Sequence, residues 1–137
     1  MNSNHYKLLL FSLFFLNLTI ASAGRIYVSQ SNTTPPYDGQ SWSTAFADLT
    51  QALAIAEYGD SIWLAEGIYY PTAGTDRDAT FELKPGVQIY GGFLGWEISF
   101  SQRNFLFNPT FLSGDIGIPE DDSDNSYHVL KAIDPDE

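Results

Sequence analysis

The chain has no cysteine and few basic residues, and each shortage excludes a class of function. Without cysteine it can form neither a disulfide framework nor a thiolate metal site, so its stability has to come from packing. Its 6 lysines and arginines are outnumbered by 17 acidic residues, which gives a formal net charge of −11. That charge opposes binding to nucleic acid and other polyanions. The hydrophobic content of 44% and the length of 137 residues suffice for the buried core of one domain.

An export signal is predicted over residues 1–23. Lys7 precedes an apolar run from Leu8 to Ile20, and a stretch of small residues ends at Ala23. The apolar run covers 13 residues, fewer than the ~20 that span a bilayer. We therefore expect cleavage after Ala23 and a secreted or cell-surface domain over residues 24–137, without a transmembrane segment.

One amphipathic helix is predicted, from Ala45 to Tyr58. Its apolar residues fall within a stripe of ~120° on a helical wheel, so this face must pack on an apolar surface. The stripe consists of Ala45, Phe46, Leu49, Ala52, Leu53 and Ala56. Ser43 or Thr44 can cap the first turn, and Gly59 can end the helix.

The rest of the mature chain has the pattern of short strands separated by turn residues. The predicted strands are Arg25–Ser29, Ser61–Ala65, Phe81–Leu83, Val87–Tyr90, Thr110–Leu112 and His128–Leu130. Corresponding positions recur at a loose period of roughly 20 residues, which is typical of stacked repeats. An antiparallel sandwich would need tight hairpins, and a doubly wound fold would need a second helix. The pattern favours neither alternative.

The predicted fold class is therefore an all-β solenoid. We expect the first coils of a right-handed parallel β-helix, with the amphipathic helix as an N-terminal cap and with the domain incomplete at its C-terminus. The strand near Val129 would then leave an unpaired edge at an open C-terminal coil. Self-association through that coil is a further expectation.

Several blocks of the sequence resemble a known family. The blocks are Asp38-Gly39-Gln40-Ser41-Trp42, Gly59-Asp60-Ser61-Ile62-Trp63-Leu64-Ala65-Glu66-Gly67-Ile68-Tyr69, Gly86-Val87-Gln88-Ile89-Tyr90-Gly91-Gly92-Phe93-Leu94-Gly95-Trp96-Glu97 and Thr110-Phe111-Leu112-Ser113-Gly114-Asp115. They resemble the amino-terminal part of secreted bacterial right-handed parallel β-helix proteins of the pectin-lyase-like superfamily. Within it, they are similar to the cell-surface group related to polymorphic outer-membrane and adhesin-like proteins.

This resemblance implies a secreted or cell-surface protein with a structural, adhesive or glycan-contacting role. The chain shows no assembled catalytic set, and one fold hosts many activities. The expected partner is a polysaccharide or a cell-surface glycan. The alternative is the N-terminal part of a polysaccharide lyase or glycoside hydrolase whose active site lies in later coils.

One oxygen-rich cluster is a candidate calcium site. Asp115, Asp121, Asp122 and Asp124 lie in and just before an acidic turn, and calcium prefers six to eight oxygen ligands. The cluster lacks the central glycine and the distant glutamate of an EF-hand loop. A solvated acidic turn is the competing interpretation, and no other cofactor is expected.

Three aromatic residues are candidates for glycan contact. Trp63 and Tyr90 alternate with the apolar residues of their strands, so they are predicted to point outward, with Tyr70 nearby. Outward aromatic rings can stack on the apolar faces of sugars. The competing interpretation is that the loops after Tyr70 and after Phe93 cover these rings.

The other polar and charged residues that could suggest catalysis are expected to have structural roles. Asp60 and Glu66 are expected in turns rather than as a catalytic carboxylate pair. A triad of Ser113, His128 and Asp115 is discounted, because its sequence context is no nucleophile elbow. Glu97 and Arg103 are expected to form an ion pair that pins a loop, and a glycosylation sequon begins at Asn32.

Overall fold

The computed structural model describes residues 23–134, so the predicted export signal lies outside the described residues except for Ala23. The elements in chain order are β1 (Arg25–Val28), α1 (Leu49–Ile55), β2 (Ser61–Ala65), β3 (Gly67–Tyr69), β4 (Phe81–Leu83), β5 (Gln88–Phe93), β6 (Thr110–Leu112) and β7 (Leu130–Ala132). Two short 3-10 turns, Trp42–Thr44 and Phe100–Gln102, lie in the loops. Within this part of the chain, no helix is both long enough and apolar enough to cross a bilayer.

The strands form three parallel sheets. The largest has the order β1-β2-β5, and the other two are the pairs β3-β6 and β4-β7. In the first sheet Tyr27 is opposite Trp63, and Trp63 is opposite Tyr90, so one face carries a row of aromatic residues. The opposite face carries Ile26, Ile62 and Ile89 in register.

The predicted all-β solenoid, a right-handed parallel β-helix with an N-terminal cap, is wrong. Residues 23–134 form a small domain of short, mostly separate parallel strand pairs and one helix, and no solenoid or β-helix is found in them. Two of the three sheets contain only two strands of 3 residues each. A stacked-repeat fold needs about three or more similar repeats, whereas irregular loops of unequal length separate these strands.

The helix is shorter than predicted, and residues at both predicted ends form tertiary contacts. Ala45 and Phe46 are extended, and Phe46 forms an isolated bridge with Val28 of β1. The N-cap is therefore Asp48, whose carboxylate accepts a hydrogen bond from Thr50 N at 2.8 Å. At the other end, Lys84 Nζ donates to the carbonyls of Ala54 and Ala56 at 2.6 and 3.1 Å.

The core lies between α1 and the inner faces of the sheets. The helix buries Leu49, Ala52 and Leu53 and packs on β1, β2 and β4. The core residues include Val28, Ile62, Leu64, Tyr69, Phe81 and Val87. Each buried aliphatic or aromatic side chain stabilises the fold by roughly 1.5 to 3 kcal/mol.

A bulge in β5 brings one aromatic residue onto the outer face of the first sheet. The sequence predicts that Gly91-Gly92 ends the strand, but β5 continues to Phe93 with one extra residue relative to β2. Gly92 has φ +90°, and a Cβ at Gly91 would lie 2.6 Å from the Cβ of Thr110. Phe93 therefore pairs with Ala65 and shares the face of Trp63.

Candidate functional site

A groove surrounds Tyr70, the first residue after β3. It consists of two adjoining depressions of about 180 and 270 Å³, which share Tyr70, Thr72 and Ala73 in their walls. The Tyr70 side chain is 38% exposed, so its ring is accessible from the groove. We call this feature the Tyr70 groove.

Polar groups line both halves of the Tyr70 groove. Gln30 and Asp48 line the smaller depression, and Asp115 lines the larger one beside Ile116. Asp48 Oδ1 accepts from the helix N-terminus, but its Oδ2 has no hydrogen bond among the described residues. Carboxylate oxygens of this kind can accept hydrogen bonds from hydroxyl groups.

Buried contacts fix the walls of the groove. The Tyr69 hydroxyl donates to Ala65 O at 3.0 Å, and Ser113 N donates to Tyr69 O at 2.9 Å. Burial raises the pKa of Tyr69 to about 12, so its hydroxyl remains a neutral donor. Gly74 N donates to Thr72 Oγ1 at 3.0 Å, which shapes the next turn. The groove is therefore preformed.

The three aromatic residues predicted to contact glycans lie in different places. Trp63 is only 2% exposed, because Arg25 lies over its ring and Phe93 stacks against it, so Trp63 presents no face to a sugar. Tyr90 is half-buried beside Phe100, at 4.8 Å between ring centroids. Of the three, Tyr70 is the one that lines the Tyr70 groove, and its glycan contact stays a prediction.

The predicted calcium ligands are engaged in turns. Asp115 accepts from Glu120 N at 3.1 Å, and Asp124 accepts from Ile118 N at 2.7 Å. Hydrogen bonds from the side chain and backbone of Ser123 lower the pKa of Asp121.

The fourth predicted ligand, Asp122, accepts a long hydrogen bond of 3.4 Å from Asn125 Nδ2. Residues 23–134 contain no group of three or more His, Cys, Asp or Glu placed to hold a metal. Calcium binding stays a prediction, which a calcium titration with and without chelator tests.

The remaining candidates have structural partners. The Asp60 carboxylate accepts from Gly24 N and Glu57 N at 2.7 and 2.9 Å, so it closes the turn before β2. Ser113 Oγ accepts from Asp115 N, and His128 is exposed. The Asn32 amide of the sequon donates to Ala45 O at 2.7 Å.

Glu97 and Arg103 each have other partners, so the predicted ion pair between them is wrong. Glu97 is 2% exposed, and its carboxylate accepts from the backbone N–H groups of Leu94, Gly95 and Trp96. Arg103 Nε donates to Gly91 O at 2.7 Å, and its guanidinium lies 4.7 Å from the centroid of Phe100. Both residues therefore fix the loop after β5, but independently.

Sequence reasoning missed most of the Tyr70 groove. Gln30 is held there because its Nε2 donates to Ile68 O at 2.6 Å, a contact across 38 residues of sequence. No local pattern marks such a contact. Asp48 could have been found as an N-cap, since aspartate is among the residues preferred there.

Comparison with known proteins found no matching family model, no matching curated protein and no matching solved structure. Assignment of function therefore rests on the residues and their geometry.

Proposed function

We propose that this chain is an exported surface protein that contacts glycans, without catalysis, through the Tyr70 groove. The observation that carries the proposal is the exposed Tyr70 ring in the wall shared by two adjoining depressions. A sugar ring can stack on the aromatic face while its hydroxyl groups donate to nearby carboxylates. Lys7, the apolar run that follows it and the small residues ending at Ala23 support an exported protein.

The charge of the groove favours neutral glycans. Asp48 and Asp115 line its two halves, and no lysine or arginine lines either depression. A polymer of uronic acids would bring further negative charge towards a chain whose net charge is already −11. We therefore expect a neutral polysaccharide to bind more tightly than a polyuronate.

Tyr70→Ala tests the proposal, with Tyr37→Ala as the matched control. Both tyrosines are 38% exposed, but Tyr37 does not line the groove. Loss of a stacked aromatic ring is expected to weaken binding about tenfold, which corresponds to ~1.4 kcal/mol. Affinity electrophoresis in gels containing a soluble neutral glucan, xylan or polygalacturonate measures the effect.

The expected result is retardation in at least one neutral gel, lost in Tyr70→Ala and kept in Tyr37→Ala. Equal retardation of both variants would place glycan binding elsewhere on the surface. No retardation of the unsubstituted chain in any gel would count against a glycan-contacting role. Preferential binding to polygalacturonate would contradict the expected preference for neutral glycans, but not glycan binding by the Tyr70 groove.

A further inference from the structure

The outer strand edges on the two sides of the sheets differ in how far the rest of the chain covers them. On one side, the outer edge of β1 is closed by the chain itself: Tyr27 N donates to Gly39 O and Ser29 N to Phe46 O, both at 2.8 Å. Phe46 N donates back to Tyr27 O at 2.9 Å. The outer edge of β1 is therefore not free. β3 and β4 are also outer strands of their sheets, but Gln30 Nε2 donates to Ile68 O of β3 at 2.6 Å, and α1 packs against β4.

On the other side, β6 and β7 are the outer strands of their sheets. β6 pairs with β3 and β7 pairs with β4, and within residues 23–134 neither has a second partner strand. The neighbouring edge of β5 is partly covered, since Asn104 N donates to Gly92 O at 2.7 Å. Unpaired N–H and C=O groups on an edge strand are a template for another strand.

Large apolar side chains surround these free edges. Phe111 of β6 is 56% exposed and shares a depression of about 330 Å³ with Phe105. The side chains of Phe105, Leu106 and Phe107 are between 69% and 79% exposed, and Leu130 of β7 is 44% exposed. We define the open edge as β6, β7 and the turn Phe105–Phe107.

The Phe105–Phe107 turn is fixed rather than loose. Asn104 Oδ1 accepts from Leu106 N and Phe107 N at 3.3 and 3.2 Å. Asn108 N donates to Asn104 O at 2.8 Å, which closes the turn. A fixed turn loses little conformational entropy when a partner covers it.

We propose that the open edge binds a second copy of this chain, with the two copies related by a twofold axis. A strand edge needs a partner with its own backbone donors and acceptors, and a lipid surface offers no such ladder. Two identical edges related by a twofold axis meet as antiparallel strands and satisfy each other. The five exposed apolar side chains, at roughly 150 to 250 Å² for a whole aromatic one, offer an area on the order of the ~800 Å² per partner of a standard interface.

The charge of the open edge permits this contact despite the net charge of −11. The strand β6 and the Phe105–Phe107 turn contain no charged side chain. On β7, Lys131 lies in register with Glu82 of β4, so a residue of opposite charge stands next to it in the sheet. The acidic residues elsewhere repel across the dimer, and added salt is therefore expected to strengthen association.

Phe111→Lys tests the proposal in the whole chain, with Ile55→Lys as the matched control. Phe111 is 56% exposed on the open edge, and Ile55 is 53% exposed on α1 at the closed side. Lysine on an edge strand disfavours strand pairing between molecules. We expect a dimer in analytical ultracentrifugation, a dissociation constant raised at least tenfold by Phe111→Lys, and no change with Ile55→Lys.

Hydrogen exchange of the unsubstituted chain gives a second readout that does not depend on a variant folding. Amides in Thr110–Leu112 and Leu130–Ala132 should exchange more slowly as chain concentration rises, while those of Arg25–Val28 should not change. A chain that stays monomeric at about millimolar concentration would overturn the proposal. Polydisperse aggregates, or a dimer unaffected by Phe111→Lys and without edge protection, would also overturn it.

Discussion

The indole ring of Trp63 stacks on the phenyl ring of Phe93, with centroids 4.3 Å apart and planes inclined by 9°. The Arg25 guanidinium lies 3.8 Å from the centroid of the same indole. Edge contacts from Tyr27 and Phe100 complete the cluster around Trp63. These residues form a second, aromatic core on the outer face of the first sheet. This was the face considered for glycan contact, with cover by the loop after Phe93 as the competing interpretation, and Phe100 of that loop does lie against Trp63.

Truncation of Trp63 should destabilise the domain far more than truncation of an exposed tryptophan. Trp63→Ala removes a ring that is 2% exposed, and the expected loss in free energy of unfolding is about 3 to 5 kcal/mol. Trp96 is 62% exposed, so Trp96→Ala should change stability by at most about 0.5 kcal/mol. Urea denaturation followed by circular dichroism measures both. Similar losses for the two variants would show that the aromatic cluster contributes little.

Glu97 should make stability depend on pH. Burial raises the pKa of Glu97, but hydrogen bonds from the backbone of Leu94, Gly95 and Trp96 outweigh it and leave that pKa below its usual value. A lowered pKa in the folded state stabilises the fold above the pKa of the unfolded chain. This contribution is lost as the pH falls through the folded pKa.

Glu97→Gln should therefore cost about 2 kcal/mol at neutral pH, because the amide group cannot accept all the same hydrogen bonds. The difference in Tm from the unsubstituted chain should begin to narrow as the pH falls below about 4.3, the pKa of glutamate in an unfolded chain, and should be lost as the pH falls through the lower pKa of Glu97 in the folded state. Thermal melts from pH 3 to 7 follow this, with exposed Glu66→Gln as the control. A difference independent of pH would assign the loss to packing rather than to charge.

The buried face of α1 should be essential for folding. Leu53 is 4% exposed, and Leu53→Asp would bury an unpaired carboxylate at a cost above about 4 kcal/mol. Ile55 on the same helix is 53% exposed, so Ile55→Asp should cost about 1 kcal/mol or less, mainly through the helix dipole. Circular dichroism melts separate the two. An unchanged Tm for Leu53→Asp would mean that α1 is dispensable for the core.

The local pattern of the sequence predicted the position of several strands. The predicted bounds of Ser61–Ala65, Phe81–Leu83 and Thr110–Leu112 are confirmed. Alternation of apolar residues between turn residues carries this signal, because strand periodicity is local. The strand Gly67–Tyr69 was missed, since its short segment follows directly after the turn at Glu66.

The sequence by itself determined the turns, most of the strand positions, the presence of one helix and the excess of negative charge. Tertiary structure decided where the helix begins. Phe46 forms backbone hydrogen bonds with the edge of β1, so it is extended and the helix starts after it. Tertiary structure also decided that Trp63 is buried, because Phe93 and Phe100 pack against its ring. The Tyr70 groove depends on Gln30 and Asp115, which lie far from Tyr70 in the sequence. Such contacts depend on how distant segments pack, and local periodicity carries no information about that packing.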